Sequence, residues 1–400
     1  MEIGDFDAPC VITYCRNSPS IIDGDHCFWP LPWSSSILIN GLCKLGKTSS
    51  AMILLKKMER SRDCKPNIVV YSTVIDAFCK DEQVCVILNY GMKPKDFSRT
   101  WKAKEAHHLF ASMIKEGESP DTFTYTALMD GYCLLGRIDK ARNLLDHMMS
   151  HNCAPSVISY SILINGYCKR KRIDEALSLF KCMSRNGIDP NVVTYTTLIS
   201  GLCHEGRLKD AMMLFDEMKS CGLEADIVTY NILVDSLCKH KKVEEALELF
   251  AKIDGVGLAP DIVTCNCLID GLCKDGKLEA ANKLFSELSV RGLKPNVRTY
   301  NIMIHGACKR CKLDEADELL SKMTESGCSP DGFTYNIIIQ AFLKQNEMSK
   351  AISMLERMIS CGFSANAETS TLVVKILSTR GLDKSYCGRL FFPGYEDMGR

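Results

Sequence analysis

Neither charge sign is in excess in this sequence: lysine plus arginine and aspartate plus glutamate both total 49. A surface that is basic overall, the usual footprint of a nucleic-acid binder, is therefore excluded, and only the distribution of charge can be informative. No apolar run approaches the roughly 18 residues of a membrane-spanning helix. There is no Gly-rich phosphate loop, no HxE…CxxC deaminase signature and no acidic cluster of the nuclease kind, so nothing points to catalysis. Cysteine is plentiful at 22 residues, yet zinc spacing is missing. Cys308 and Cys311 form one CxxC, Cys265 and Cys267 one CxC, neither recurs, and no His or second Cys pair stands at the distance a zinc site needs. No metal and no cofactor are expected. No secretory signal precedes the cysteines, most of which occupy apolar helix positions, where a reduced thiol acts as a small hydrophobe. The opening MEIGDFDAPC carries three acids, unlike an Arg-rich, acid-poor organelle transit peptide.

What the chain does have is a period. Cys133, Cys168, Cys203, Cys238, Cys273 and Cys308 are spaced by 35, and residues 122–366 tile into seven gapless 35-residue units. In Ile227–Asp261, IVTYNILVDSLCKHKKVEEALELFAKIDGVGLAPD, the first half places Tyr230, Leu233, Val234, Leu237 and Cys238 at i, i+3, i+4, i+7 and i+8. That is the apolar stripe of an amphipathic helix. Val243, Ala246, Leu247, Phe250 and Ile253 outline a second, with Glu244 and Glu245 in its first turn, where the helix dipole favours acids. His240-Lys241-Lys242 between them has no apolar period and predicts a tight turn. Gly257 recurs as Gly117, Gly187, Gly222, Gly292, Gly327 and Gly362, with Asn152 in the remaining unit, as a left-handed C-cap requires. Pro260-Asp261 then stops the chain and offers an N-cap to the next helix. Ala246 recurs as Ala141, Ala176, Ala211, Ala281, Ala316 and Ala351, which suits close helix approach. One hairpin cannot bury both stripes, so neighbours must stack.

Outside the regular tract the pattern weakens. Residues 1–31 are irregular, and Ala8–Tyr14 resembles the start of a broken repeat. Residues 32–67 form a repeat of 36, with Ser36, Cys43, Ala51 and Pro66-Asn67 in place. The region 68–121 is degenerate: Ile68–Lys80 is a good first helix and Ala103–Asp121 a good second helix and end, but Asp81–Lys102 lacks the pattern. Two damaged units or one unit with a 19-residue insertion fit the same count. Local disorder or a kink in the stack is expected near 81–102. Residues 367–400 hold a partial first helix (Thr369–Leu377) and a polar tail.

A polar stripe runs opposite the apolar one on each first helix. Its leading position is always small and polar: Thr126, Ser161, Thr196, Asn231, Asn266, Asn301 and Asn336. Such residues compete for the backbone and are mediocre helix formers, so something other than helix stability selects them. The last position of each unit is equally restricted, to Ser156, Asn191, Asp226, Asp261, Asn296, Asp331 and Asn366, all good N-caps. Together they place two hydrogen-bonding side chains of variable identity on each unit, the form of a repeat that reads one RNA base with two or three side chains. Lysine follows the period cysteine at Lys44, Lys80, Lys169, Lys239, Lys274 and Lys309, with Lys344 in the equivalent place, while Asp174-Glu175, Glu244-Glu245 and Asp314-Glu315 crowd the second helices. A neutral chain can thus present a basic layer. Lys169, Lys239, Lys274, Lys309 and Lys344 are the phosphate-contact candidates.

These features resemble the pentatricopeptide repeat proteins: the 35-residue period, the VVTYTTLISGLC start at Val192 and the Gly-Leu-x-Pro-Asp end at Gly257–Asp261. The resemblance covers residues 32 to about 377 and implies an all-α fold, a right-handed α–α superhelix or solenoid of helix-turn-helix repeats. Tetratricopeptide repeats, with a 34-residue period and another pattern, do not match. The family implies sequence-specific binding of single-stranded RNA in plant organelles, one base per repeat, with the RNA parallel to the repeats. By resemblance Thr196/Asp226 looks like a guanine reader, Asn231/Asp261 and Asn301/Asp331 like uracil readers. Asn266/Asn296 and Asn336/Asn366 look like pyrimidine readers and Ser161/Asn191 like an adenine reader, while Thr126/Ser156 stays undetermined. The implied core is A-G-U-Y-U-Y. Ile158, Val193, Val228, Val263, Arg298 and Phe333 would sandwich the bases, Arg298 departing from the apolar norm. All units are of the pure 35-residue type, without editing or nuclease extensions, and are similar to the restorer-of-fertility-like subgroup, which acts on mitochondrial transcripts. The expectation is a monomeric, non-enzymatic RNA-binding protein, away from membranes, acting in the mitochondrion or alternatively the chloroplast, with RNA-processing proteins as further partners. The alternatives are a protein-binding helical-repeat scaffold and a degenerate, non-functional copy.

Overall fold

The computed structural model describes residues 32–61, 65–80, 94–255 and 257–379. Among them there are nineteen α-helices and no strand. The suggested broken repeat at 1–31, the end of the tail and the segment 81–93 lie outside the described residues. In the first body, Met1–Glu205, α1 (Pro32–Lys44) pairs with α2 (Thr48–Arg60), α3 (Ile68–Lys80) with α4 (Pro94–Lys115), α5 (Thr122–Leu134) with α6 (Ile138–Ser150) and α7 (Val157–Lys169) with α8 (Ile173–Arg185), and α9 (Val192–His204) follows. The second body, Gly206–Arg400, begins with α10 (Leu208–Ser220). There α11 (Ile227–Lys239) pairs with α12 (Val243–Gly255), α13 (Ile262–Asp275) with α14 (Leu278–Val290), α15 (Val297–Lys309) with α16 (Leu313–Glu325) and α17 (Gly332–Lys344) with α18 (Met348–Ser360), before α19 (Ala367–Thr379). Within each body every odd-numbered helix touches the next odd-numbered one, and the even-numbered helices up to α16 each also touch the odd-numbered helix that follows. Within each body the first helices therefore form one layer and the second helices a layer packed over its seams.

Two left-handed turns punctuate each unit of the regular tract 122–366. The one between units falls where expected, at Gly117, Asn152, Gly187, Gly222, Gly257, Gly292, Gly327 and Gly362. The one inside the hairpin also needs positive φ, which glycine supplies at Gly136 (φ 68°) and Gly276 (φ 84°), but Lys171, Lys241 and Cys311 adopt it at 60–61°. These three strained positions were not visible in the pattern, because lysine and cysteine carry no turn signal.

The apolar stripes are buried as read, with one correction. On α12 it is Leu249, 4% exposed, that joins Val243, Ala246, Phe250 and Ile253, and Leu247 is only half-buried. A second helix faces both its own partner and the next first helix, so its stripe is wider than one face suggests. The recurring alanines Ala141, Ala176, Ala211, Ala246, Ala281, Ala316 and Ala351 are all fully enclosed. Rings stack across units: Phe180 against Tyr195 at 5.2 Å, Phe215 against Tyr230 at 5.5 Å and Phe285 against Tyr300 at 5.5 Å, all edge-on. Each such pair adds about 0.5–1.5 kcal/mol beyond its buried area. Of the period cysteines, Cys133, Cys168, Cys238 and Cys273 pack against glycines of the next first helix. A Cβ on Gly166 would stand 2.8 Å from Cys133 Sγ, and one on Gly306 2.6 Å from Cys273 Sγ. Burial pushes the thiols of Cys133, Cys168, Cys238, Cys273 and Cys308 up to about 12, so they are protonated packing groups.

Of the stretch 81–102, where local disorder or a kink in the stack is expected, residues 81–93 lie outside the described residues. Residues 94–102, which lack the repeat pattern, are helical and lengthen α4 to 22 residues, against 13 for most of the other helices. Its last turns carry the usual core residues Ala106, Leu109, Phe110 and Met113, all buried.

Candidate nucleic-acid interface

The N-termini of the first helices organise the site. Ser156, Asn191, Asp226, Asp261, Asn296 and Asp331 are N-caps in extended conformation, each accepting the backbone N–H three residues on. Asn366 does the same for Thr369, at 2.8 Å. The capping role read from the sequence is thus real, and it fixes these side chains at the rim of the first-helix layer. Asn191, Asp226, Asn296 and Asn366 are exposed, and Ser156, Asp261 and Asp331 half-buried.

The helix-interior polar residues are more enclosed than the pattern implied. Asn266, Asn336, Asn301 and Thr126 are 3%, 6%, 7% and 9% exposed, while Ser161, Thr196 and Asn231 are half-buried. The reason is a bonding group that sequence reasoning missed. Three residues after each N-cap stands a fully buried hydroxyl: Thr124, Ser159, Thr194, Thr229, Thr264, Thr299 and Thr334. The Thr264 hydroxyl donates to Asn231 Oδ1 of the preceding unit and lies 2.9 Å from Asp261 Oδ1, while Asn231 Nδ2 donates to the Asp261 carboxylate at 3.2 and 3.4 Å. Thr334, Asn301 and Asp331 repeat this triangle, with 2.6 Å from hydroxyl to amide oxygen and 3.4 Å from amide nitrogen to carboxylate. Ser161 and Thr194 share a hydrogen bond at 3.0 Å, and Thr194 donates to Asn191. The signal was the strict recurrence of Thr or Ser at a place where a capping box ordinarily has Glu or Gln.

Other units differ in detail. Asn336 donates to the Gly332 carbonyl at 2.6 Å and accepts the Asn366 N–H at 3.0 Å. Asn266 Oδ1 is buried without a hydrogen-bond partner, because Thr299 bonds only within its own capping box with Asn296. Thr126 and Thr196 donate back to the carbonyls of Thr122 and Val192. In the triangles the hydroxyl claims the amide oxygen of the asparagine, so its N–H donors face the carboxylate. Burial alone would raise the carboxyl pKa values of Asp261 and Asp331, but the hydrogen bonds from Thr264 and Asn231, and from Thr334 and Asn301, outweigh it and hold both below the ordinary range.

Beside each cap the second helical residue stands out of the layer. Ile158, Val193, Val228, Val263 and Phe333 are between 43% and 64% exposed, and Arg298 is exposed too. Within each body, large apolar side chains left in water at one fixed position per unit form a ladder next to the polar pairs. Phe123, Val69 and Val374 are similarly exposed, and the first two hold the same second position in their helices.

The lysine layer is less cationic than its count suggested. Lys239, Lys274 and Lys80 pair with Asp235, Asp270 and Asp76 one turn earlier, at 2.6, 2.6 and 2.9 Å. At Lys169, Lys309 and Lys344 the residue one turn earlier is Asn165, His305 or Gln340, which cannot neutralise the ammonium. Burial lowers the His305 pKa, with Lys309, Lys274 and Lys344 adding to the effect against Asp270. Acids of the second helices are engaged by the basic residues that precede them, as in Arg172–Glu175 at 2.9 Å, Lys242–Glu245 at 2.7 Å and Lys312–Glu315 at 2.6 Å. Among the described residues no group of three potential metal ligands occurs, and no helix is long and apolar enough to cross a membrane.

The sequence profile of the PPR repeat family matches residues 34–80 and then, in overlapping segments, 96–378. The chain belongs to the PPR repeat family. A pentatricopeptide repeat-containing protein of Arabidopsis thaliana, At5g18475, is 32% identical over 108 residues, which are 27% of this chain and 18% of that protein. PPR10, a pentatricopeptide repeat protein from maize whose structure was solved with an 18-nt psaJ RNA element, is similar with a TM-score of 0.50 and 21% identity. The match covers 90% of this chain and 61% of PPR10, so this PPR chain spans less than two thirds of either relative. The likeness to PPR10 establishes the fold, an all-α solenoid of helix-turn-helix repeats.

Proposed function

We propose that this PPR protein binds single-stranded RNA sequence-specifically and without catalysis, one base per repeat, through the cap residue and the helix-interior residue of each unit. The observation that carries the reading is the recurring triangle of Asn231, Asp261 and Thr264, repeated in Asn301, Asp331 and Thr334, beside an exposed apolar ladder. The hydroxyl orients the amide so that a donor and a carboxylate acceptor stand side by side. That pair complements an edge carrying a carbonyl next to an N–H, as uracil's does. An incoming base would replace the amide–carboxylate bond, which at 3.2–3.4 Å is long for a charge-assisted one. Base faces would lie against the exposed residues from Ile158 to Phe333, and phosphates near Lys169, Lys309 and Lys344. PPR10's crystallisation with RNA supports the class of ligand. The proposed core is A-G-U-Y-U-Y, and the proposed role is processing, stability or translation of organellar transcripts, in the mitochondrion or alternatively the chloroplast.

Fluorescence anisotropy with an oligonucleotide carrying this core tests the reading. Salt-sensitive binding is expected, and Asn231→Thr should move the preference at one base from U towards G. Equal binding of both oligonucleotides by parent and variant refutes the reader assignment. Protein partners that survive RNase in a pull-down would favour a scaffold instead.

A further inference from the structure

The unpatterned stretch 81–102 separates two parts of the sequence match, 34–80 and 96–134. The contacts across it are nonetheless those of ordinary neighbours. Ser72 Oγ lies 2.7 Å from Thr124 Oγ1 at a separation of 52 residues, and Thr124 in turn donates to Asp121 at 2.7 Å. Ser161, Thr194 and Asn191 make the same three-residue arrangement at a separation of 33. A Cβ on Gly131 would meet Cys79 Sγ at 2.5 Å, as one on Gly166 meets Cys133 Sγ at 2.8 Å and one on Gly201 meets Cys168 Sγ at 2.6 Å. Phe110 of α4 stacks edge-on against Tyr125 at 5.3 Å, as Phe180 does against Tyr195 at 5.2 Å. Two contacts therefore put α3 and α5 in the standard register of successive first helices, and a third seats α4 on α5 as in an ordinary unit, while extra residues lengthen the outer helix α4. Asp121 caps α5 in the way the other last-position residues cap their helices, and Val69 and Phe123 are exposed at 64% and 52% like the rest of the apolar ladder.

We propose that Ser72 and Asp121 are a further base-recognising pair, directly in series with Thr126/Ser156, and that the insertion is bypassed without skipping a nucleotide. This rests on the RNA-reading function proposed above. With RNA parallel to the repeats, Thr126/Ser156 faces the nucleotide immediately 5′ of A-G-U-Y-U-Y, and Ser72/Asp121 faces the next one.

The test is selection by the full-length chain from an RNA library with four randomised nucleotides directly 5′ of that core. A base preference of about tenfold is expected at the second nucleotide upstream. Ser72→Asn should change the preference at that nucleotide and at no other. Asp121→Asn keeps a good N-cap, so it serves as a second variant that folds, with the same single-position effect. Selection of the core with no preference at that nucleotide, or with the variants acting one position further upstream, overturns the inference and leaves the RNA reading intact. Failure of the parent to select the core overturns the RNA reading and takes the inference with it.

Discussion

Thr264→Val removes one buried hydroxyl and keeps the side-chain shape. That hydroxyl accepts the Asp261 N–H at 3.3 Å, donates to Asn231 Oδ1 and lies 2.9 Å from Asp261 Oδ1. Losing the capping-box bond costs about 1 kcal/mol. Losing the inter-unit bond costs about another 1 kcal/mol, and leaving the Asn231 oxygen unpaired adds to it, for a total of about 2–3 kcal/mol. Thr299→Val provides the internal reference. Thr299 is as buried, at 0% exposure, and makes the same capping box with Asn296. The Asn266 oxygen before it is already without a partner, so only the first cost applies, about 1 kcal/mol. The gain from burying a methyl group is common to both variants and cancels in their difference. Urea unfolding of the full chain by far-UV circular dichroism should therefore place Thr264→Val about 1–2 kcal/mol below Thr299→Val, from midpoints at a common slope. Equal costs, or a larger cost for Thr299→Val, would refute the triangle and with it the claim that Thr264 orients Asn231.

Gly306→Ala should destabilise by about 1–3 kcal/mol despite its better helix propensity, because the new methyl meets Cys273 Sγ at 2.6 Å. Adding Cys273→Ala should recover part of the loss, and a Gly306→Ala protein more stable than its parent would contradict the packing. Lys241 holds φ at 60°, where an L-residue is strained by about 1–2 kcal/mol, so Lys241→Gly should stabilise the fold by about 1 kcal/mol, read as a raised urea midpoint; a lowered midpoint counts against the turn geometry. The buried thiols of Cys79, Cys133, Cys168, Cys238, Cys273 and Cys308 are pushed up to about 12 from 9. The folded state then holds protons that the unfolded chain releases, so stability should be intact below pH 9 and fall as pH rises towards 12. A melting temperature flat from pH 8 to 11 would show that these thiols are not enclosed.

The period, the hairpin, the alanine and glycine positions and the N-caps could all be read directly, because each depends on residues within one turn of one another. The Gly257 C-cap and the Asp261 N-cap follow from local backbone chemistry, and Tyr230, Leu233, Val234 and Leu237 from helical spacing alone. Even Lys239–Asp235 was accessible at i, i+4, although a lysine count by itself overstates the positive charge of the layer.

What the pattern could not decide lies between units. Whether Asn231 faces solvent or a hydroxyl depends on where Thr264, 33 residues away, is placed by the packing of α11 on α13. Asn231, Asn266 and Asn301 are the same residue at the same repeat position, yet one leaves its oxygen unpaired and two are held by a neighbour. The two interpretations of 68–121 were equivalent as counts, and only the Ser72–Thr124 and Cys79–Gly131 contacts distinguish them. Local sequence determined that each unit is a capped hairpin with one wet and one dry face. The tertiary stack decided which polar groups meet, because hydrogen bonds of about 3 Å between helices depend on their relative register, and register is a property of packed surfaces.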